Sequence, residues 1–456
     1  MIRDILHDRQ FIKKLWVLML PISLQSLMLA SIAAADAVML GRLEQNSMAA
    51  VSLATQVQFI MNMFLGSMTG TAAILGAQYW GKQDLRTLDD IFNMTLRLSG
   101  AIDIVFFIAC VFFPEALMVL FTNEPVLARI GCEYLRIAGW SYLVTGISQA
   151  YLTVMKVSDH VSRSAWISSG AVVLNVLLNA VFIFGLFGLP GLGARGAAIA
   201  TLIARLTELI WCVASSYQKS FIRPDFKRLF HFNRLLGQDF RRIALPILGA
   251  SLLWGVGFTS YSAFMGHLGA DAAAANSVAA VVRDLICCLC NGMGAAAGIM
   301  IGNELGAGKL DLAKVYGIRL KNLSWIFALL STALVLLSIP FVTDFMKLTD
   351  EARRLLVGML LITSFYMIGR CVNTVVINGI FDGGGDTRFD LYSLAVTMWC
   401  VAVPLAFLGT FVFHWNPLVV YACTCLDEVG KIPWVMHHFY RYKWVQNLTR
   451  EMETAA

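Results

Sequence analysis

Leu15-Trp16-Val17-Leu18-Met19-Leu20-Pro21-Ile22 opens a run that closes on Ala33-Ala34-Ala35-Asp36-Ala37-Val38-Met39-Leu40, with no Lys or Arg anywhere between its ends. A bilayer crossing needs about 20 predominantly apolar residues, so residues 15–40 suffice to span one. Lys13 and Lys14 precede the run and the three alanines mimic a cleavage site, which together imitate a secretory leader. The run is too long for the apolar core of a leader, and it also recurs later in the chain. It reads as a retained transmembrane helix.

The rest of the 456 residues agrees. The hydrophobic fraction is 58% and the charged fraction 14%, against about 25% charged residues in a soluble domain. Mean hydropathy is +0.70. There is too little polar sequence to clothe soluble domains, which excludes a soluble enzyme. An apolar window of helix length finds twelve spans, near 15–40, 48–76, 91–113, 131–155, 162–187, 194–216, 243–268, 272–302, 322–346, 356–380, 391–413 and 416–438. The expected fold is therefore an all-α membrane protein.

Charge sets the orientation. Of 35 Lys and Arg residues, 23 fall at the termini and in even-numbered loops and 6 in odd-numbered ones. Positive residues stay on the cytoplasmic side, so both termini are expected there, in a multi-pass protein of a bacterial inner membrane. The net charge of +6 does not point to nucleic acid, because no basic stripe is interleaved with aromatics. Lipid is the expected surroundings. The ten cysteines, Cys287, Cys288 and Cys290 among them, lie almost wholly in apolar stretches at no zinc spacing and read as small buried hydrophobes.

The opening run returns 225 residues later. Leu20-Pro21-Ile22 falls on Leu245-Pro246-Ile247, Gly41 on Gly266, Met68 on Met293 and Gly81 on Gly306. Chance explains aliphatic matches between Leu-rich helices but not the Pro and Gly ones. Six spans per half make the repeats parallel, and residues 217–242 form the most polar interruption between them. The expectation is twelve transmembrane helices in two pseudo-symmetric six-helix lobes, 1–225 and 226–456. In transporters such halves rock about a cavity between them. Pro21 and Pro246 each remove a backbone hydrogen bond, favouring a bend in the first helix of each half.

At these residues the sequence resembles the multidrug and toxic compound extrusion (MATE) transporters. Asp36-Ala37-Val38-Met39-Leu40-Gly41 and Gly76-Ala77-Gln78-Tyr79-Trp80-Gly81 carry the likeness, with Gly196-Ala197-Ala198-Ile199-Ala200-Thr201 and Gly383-Gly384-Gly385-Asp386-Thr387-Arg388. The resemblance implies efflux of small organic, often cationic, compounds by a monomer without cofactors. The driving force would be inward flow of Na⁺ or H⁺, with alternating access between the lobes. It further implies a coupling site built from Asp36, from Asn175 and Asn179, and from Thr201, the last subject to the register of the Gly188–Gly196 loop. In a Na⁺-coupled protein, Asp36, Asn175 and Asn179 would be the metal ligands.

The residues themselves admit that role. An acid at the centre of a transmembrane helix costs about 2.5–3.5 kcal/mol to insert. Asp36 has small neighbours that admit a cation or another helix, but Gly41 and Arg42 follow closely enough for it to face extracellular water instead. Asn175 and Asn179, four apart, share a helix face and serve either a cation or interhelical hydrogen bonds. In the second half the family's usual acids are missing: Ser251 stands before Trp254, and Arg370 occupies the tenth span. Arg283 and Asp284 need not pair, whereas Arg205 and Glu208 read as an intrahelical pair. Tyr151, Trp254, Phe258, Arg283 and Arg370 are the substrate-cavity candidates. A flippase for a lipid-linked precursor is the alternative, and it would want Arg283 and Arg370 facing phosphate. No His-Glu-x-x-His or Gly-Lys-Ser/Thr sequence argues for a membrane-embedded enzyme or an ATP-driven pump.

Overall fold

Ten helices among the described residues are long and apolar enough to cross a bilayer. In chain order the membrane helices are α1 (Arg9–Leu43), α2 (Gln45–Gly81), α3 (Leu85–Phe112), α4 (Pro125–Val157), α5 (Val161–Phe184) and α6 (Gly193–Ser216). The second set is α7 (Arg234–His267), α8 (Ala270–Gly306), α9 (Leu310–Phe345), α10 (Asp350–Phe381) and α11 (Thr387–Phe411). The broken α12 completes it as Pro417–Thr424, Leu426–Val429 and Ile432–Phe439. The two outside the ten are α4 and α12, both carrying several charges. The fold is the expected all-α one of twelve transmembrane helices.

The computed structural model describes residues 8–43, 45–188, 190–218, 221–225, 227, 229, 233–346 and 348–450; the side chains at 33, 34, 36–38, 41–43, 45 and 187 lie outside that description. Asp36 is thus placed on α1, but its side chain is outside the described residues.

The helices outrun their apolar windows. α9 has 36 residues, about 54 Å at 1.5 Å each, against a hydrocarbon core of about 30 Å. The surplus, Leu310–Lys321, carries Asp311, Lys314, Arg319 and Lys321, which helix geometry tolerates once clear of lipid. Further along, the outer face of α9 is apolar: Phe341 is 76% and Phe345 85% exposed. In water such a face would be an aggregation site, whereas in lipid it is the ordinary surface. Pro21 and Pro246 lie inside continuous helices. Local signals set the ends: Asp84 caps α3 through the Thr87 amide at 3.0 Å and Thr349 caps α10 through Ala352 at 3.1 Å. Gly269, at φ 118°, makes the tight turn between α7 and α8 that a side chain would strain.

The chain forms two compact units. One comprises residues 27–76 and 84–244; the other comprises residues 1–26, 77–83 and 245–456. The second therefore holds the start of α1 and the end of α2 as well as most of the second repeat.

Inside that second unit the ends of α2 and α8 meet by a contact that repeats under the 225-residue shift. A Cβ on Gly81 would lie 2.0 Å from the Asn303 carbonyl oxygen, and one on Gly306 would lie 1.8 Å from that of Gln78. Gly306 is the repeat of Gly81 and Asn303 that of Gln78. Ala77, whose methyl lies 2.8 Å from where Gly302 would place a Cβ, faces its own equivalent. The glycines recur because both helices need the same backbone approach.

The C-terminal segment is bound to the same place. Gln78 Nε2 donates to the carbonyls of Gly383 (3.0 Å) and Gln446 (3.2 Å), and its Oε1 accepts from the Leu448 amide at 2.7 Å. Lys82 Nζ donates to the Arg450 carbonyl at 2.9 Å. α10 is joined to α8 by a disulfide between Cys290 and Cys371, which corrects the reading of all ten cysteines as unlinked hydrophobes. Their separation of 81 residues hid the pairing.

Candidate functional site

The first unit holds an open cavity of about 880 Å³. Met48, Leu53, Gln58, Asn62, Thr69 and Gln149 give it a mixed apolar and amide lining. On its α5–α6 side stand Asn175, Thr201, Arg205 and Glu208. Asn175 donates from Nδ2 to the Thr201 hydroxyl at 3.3 Å and accepts on Oδ1 from Asn179 Nδ2 at 3.3 Å. Thr201 Oγ1 in turn donates to the Ala197 carbonyl one turn back, at 3.0 Å.

Asn175, Asn179 and Thr201 are thus brought together, Thr201 included, and the intervening loop does not shift it away. Asn175 and Asn179 are buried. The spacing of four put the amides on one face; α6 supplied the hydroxyl. Deeper in the wall Glu208, 1% exposed, takes Arg205 at 3.2 Å and the Ser148 hydroxyl at 2.8 Å. That pair is the expected intrahelical one, and it leaves this wall of the cavity with no net charge.

The five substrate-cavity candidates do not line this space. Tyr151 is buried in the apolar core of the first unit, edge-on to Phe92 at 4.9 Å. Trp254 and Phe258 stack 5.2 Å apart and, with Arg283, line a separate cavity of only about 30 Å³ in the second unit. Arg283 pairs with its neighbour Asp284 at 3.0 Å while its guanidinium covers the Phe258 ring at 4.6 Å. Adjacent side chains do leave a helix at different angles, but the Arg stem is long enough to fold back.

Arg370 is engaged elsewhere. It pairs with Glu428 at 3.1 Å, and Lys431 reaches the same carboxylate at 3.2 Å. Asn373 Nδ2 donates to Glu428 twice, to the carboxylate and to the carbonyl, each at 2.7 Å. The carbonyl bond satisfies backbone left open where α12 breaks before Pro433. Glu428 was visible in the sequence as a charge in the last span, but its partners on α10 lie more than 50 residues away.

The MatE family model matches residues 21–181 and 246–408, two stretches that begin at the paired prolines. The chain belongs to the MatE family. It is 25% identical over 378 residues to a Bacillus subtilis protein named uncharacterized transporter YisQ, covering 82% of each chain. It is 27% identical over 410 residues to a probable multidrug resistance protein NorM of Bradyrhizobium diazoefficiens, covering 86% of this chain and 85% of that one. A solved crystal structure of MATE in complex with MaL6 superposes with a TM-score of 0.85 at 17% identity, over 94% of this chain and 97% of that one. As a MatE protein it is a multi-pass membrane protein of that fold, with the repeat seen in its prolines and glycines written into both matched stretches.

Proposed function

We propose that this protein is a secondary efflux transporter that exports organic, drug-like compounds in exchange for inward Na⁺ or H⁺. The observation that carries the reading is one family model matching both repeats, beside a cavity of about 880 Å³, within the roughly 300–1,000 Å³ range of small-molecule sites. The lobes that alternate access are the two six-helix repeats, 1–225 and 226–456. Coupling runs through Asp36 with Asn175, Asn179 and Thr201, whose amide and hydroxyl oxygens suit a hard cation. The protein works as a monomer in a bacterial inner membrane with both termini in the cytoplasm. A cysteine at position 220, which lies outside the described residues, then stays shielded from an impermeant thiol reagent in intact cells; ready labelling would reverse the orientation.

The flippase alternative gains nothing from the arginines. Arg370 is held by Glu428 and Arg283 by Asp284, so neither offers an uncompensated charge to phosphate. Paired in this way, the two arginines also present no uncompensated positive charge to a cationic substrate. The test is efflux from proteoliposomes under an imposed Na⁺ gradient and, separately, a pH gradient. One gradient should drive export of a fluorescent organic cation; failure of both refutes the proposal.

A further inference from the structure

Two acids lie side by side where α12 breaks, and their surroundings differ. Glu428 is saturated by Arg370, Lys431 and Asn373. Asp427 is equally buried, at 4% exposure, but no Lys or Arg among the described residues lies within ion-pairing distance. Its Oδ2 stands 3.5 Å from the Tyr261 hydroxyl of α7, and its Oδ1 has no hydrogen-bond partner. The side chain lines the cavity of about 30 Å³ that it shares with Tyr261, Arg283, Tyr366 and Trp254. A buried carboxylate with an open oxygen inside a membrane span carries a cost that structure alone does not repay.

We propose that Asp427 is a proton-binding site of the second unit, protonated on Oδ1 from the small cavity it lines. One O–H bond forms on the carboxylate, which becomes a neutral acid, and one breaks in a hydronium ion delivered through the cavity, which is left as water. The charged and titratable groups around it are Glu428, Lys431 and Cys425 on α12, Arg370 and Tyr366 on α10, Tyr261 on α7 and Arg283 on α8; one step further out, Asp284 pairs with Arg283 and Asp390 on α11 faces Lys431, Glu428 and Arg370. Uptake therefore removes one negative charge from the adjacent pair Asp427 and Glu428, beside Arg370 and Lys431. Since Glu428 holds both cations, this change of charge falls on the joint between α10 and the broken α12.

The geometry selects a proton over Na⁺. A cavity of this size holds about one water, too little for the several oxygens that a hard metal cation gathers. A proton forms a covalent bond and needs no coordination shell.

This site is distinct from the one on α1, α5 and α6, and its test separates the two. Trp254 lines the same cavity, so its emission reports the charge of Asp427. Purified protein is titrated between about pH 5 and pH 9, with Trp254→Phe identifying that residue's signal. The proposal expects a step in wild type and in Asp36→Asn that is absent in Asp427→Asn. Asp427→Glu should retain the step at a moved midpoint, and Tyr261→Phe should move it as well. In proteoliposomes, pH-gradient-driven efflux by Asp427→Asn should fall by about tenfold, the size of an ordinary coupling free energy, while gradient-free substrate exchange persists. A step that survives in Asp427→Asn, or wild-type efflux by that variant, overturns the proposal. Should Asp427→Asn fail to fold, midpoints unchanged in both Asp427→Glu and Tyr261→Phe overturn it equally. An Asp427-dependent response of Trp254 to Na⁺ at fixed pH would overturn the assignment to a proton.

Discussion

Replacing Gly81 by Ala tests the reciprocal crossing at its tightest point. The new methyl would sit 2.0 Å from the Asn303 carbonyl oxygen, 2.7 Å from its carbon and 2.8 Å from its Cα. A relaxed C···O contact needs about 3.3 Å, so the ends of α2 and α8 must part by roughly 1.3 Å. No side-chain rotation relieves this, because every atom struck is backbone. Overpacking of this kind costs about 1–3 kcal/mol. Moving the end of α2 also strains the three bonds Gln78 makes to Gly383, Gln446 and Leu448, each worth about 1 kcal/mol. The expected loss is therefore about 2–5 kcal/mol, read as a lower melting temperature of the purified transporter in detergent. Gly306→Ala should cost a similar amount, since it strikes the Gln78 carbonyl at 1.8 Å. Gly66→Ala, on the same helix with nothing within 4 Å, should be nearly neutral. The pair should be less than additive, because separation forced by one methyl makes room for the other. Full additivity, or a Gly81→Ala protein as stable as Gly66→Ala, would refute the reasoning.

Asp36→Asn should preserve folding and abolish gradient-driven efflux, whereas Ser251→Ala should transport like wild type; the reverse pattern in matched vesicles moves coupling to the other repeat. Asn175→Ala removes the link between Asn179 and Thr201, and Asn179→Ala removes its outer member. Each should raise the half-saturating coupling-cation concentration by about 5–30-fold, as for about 1–2 kcal/mol of lost interaction; an unchanged titration refutes the role. Glu428→Gln leaves Arg370 and Lys431 buried without their shared carboxylate, a cost of about 3–5 kcal/mol. Monodisperse yield after extraction measures that, and wild-type yield would contradict it.

The local features of this chain are legible in its amino-acid order alone. Twenty consecutive apolar residues must cover their backbone polar groups, so the helices and their number could be read without any knowledge of neighbours. The 225-residue repeat was legible because proline and glycine answer to backbone geometry and resist the drift that scrambles aliphatic side chains. Asn175 and Asn179 were legible as a pair because a spacing of four is enough to align them. Which way each helix turns was not. Lipid and protein core are both apolar, so hydrophobic periodicity does not tell the inner face from the outer, and Tyr151 was expected at a cavity when it lies against Phe92. The charges of the second unit were visible singly, but their partners were not: Arg370 meets Glu428 across 58 residues, and Gln78 meets Leu448 across 370. Those meetings depend on which helices come together and at what rotation. Helix packing settles both, because a buried charge takes its partner from whichever helix is packed against it.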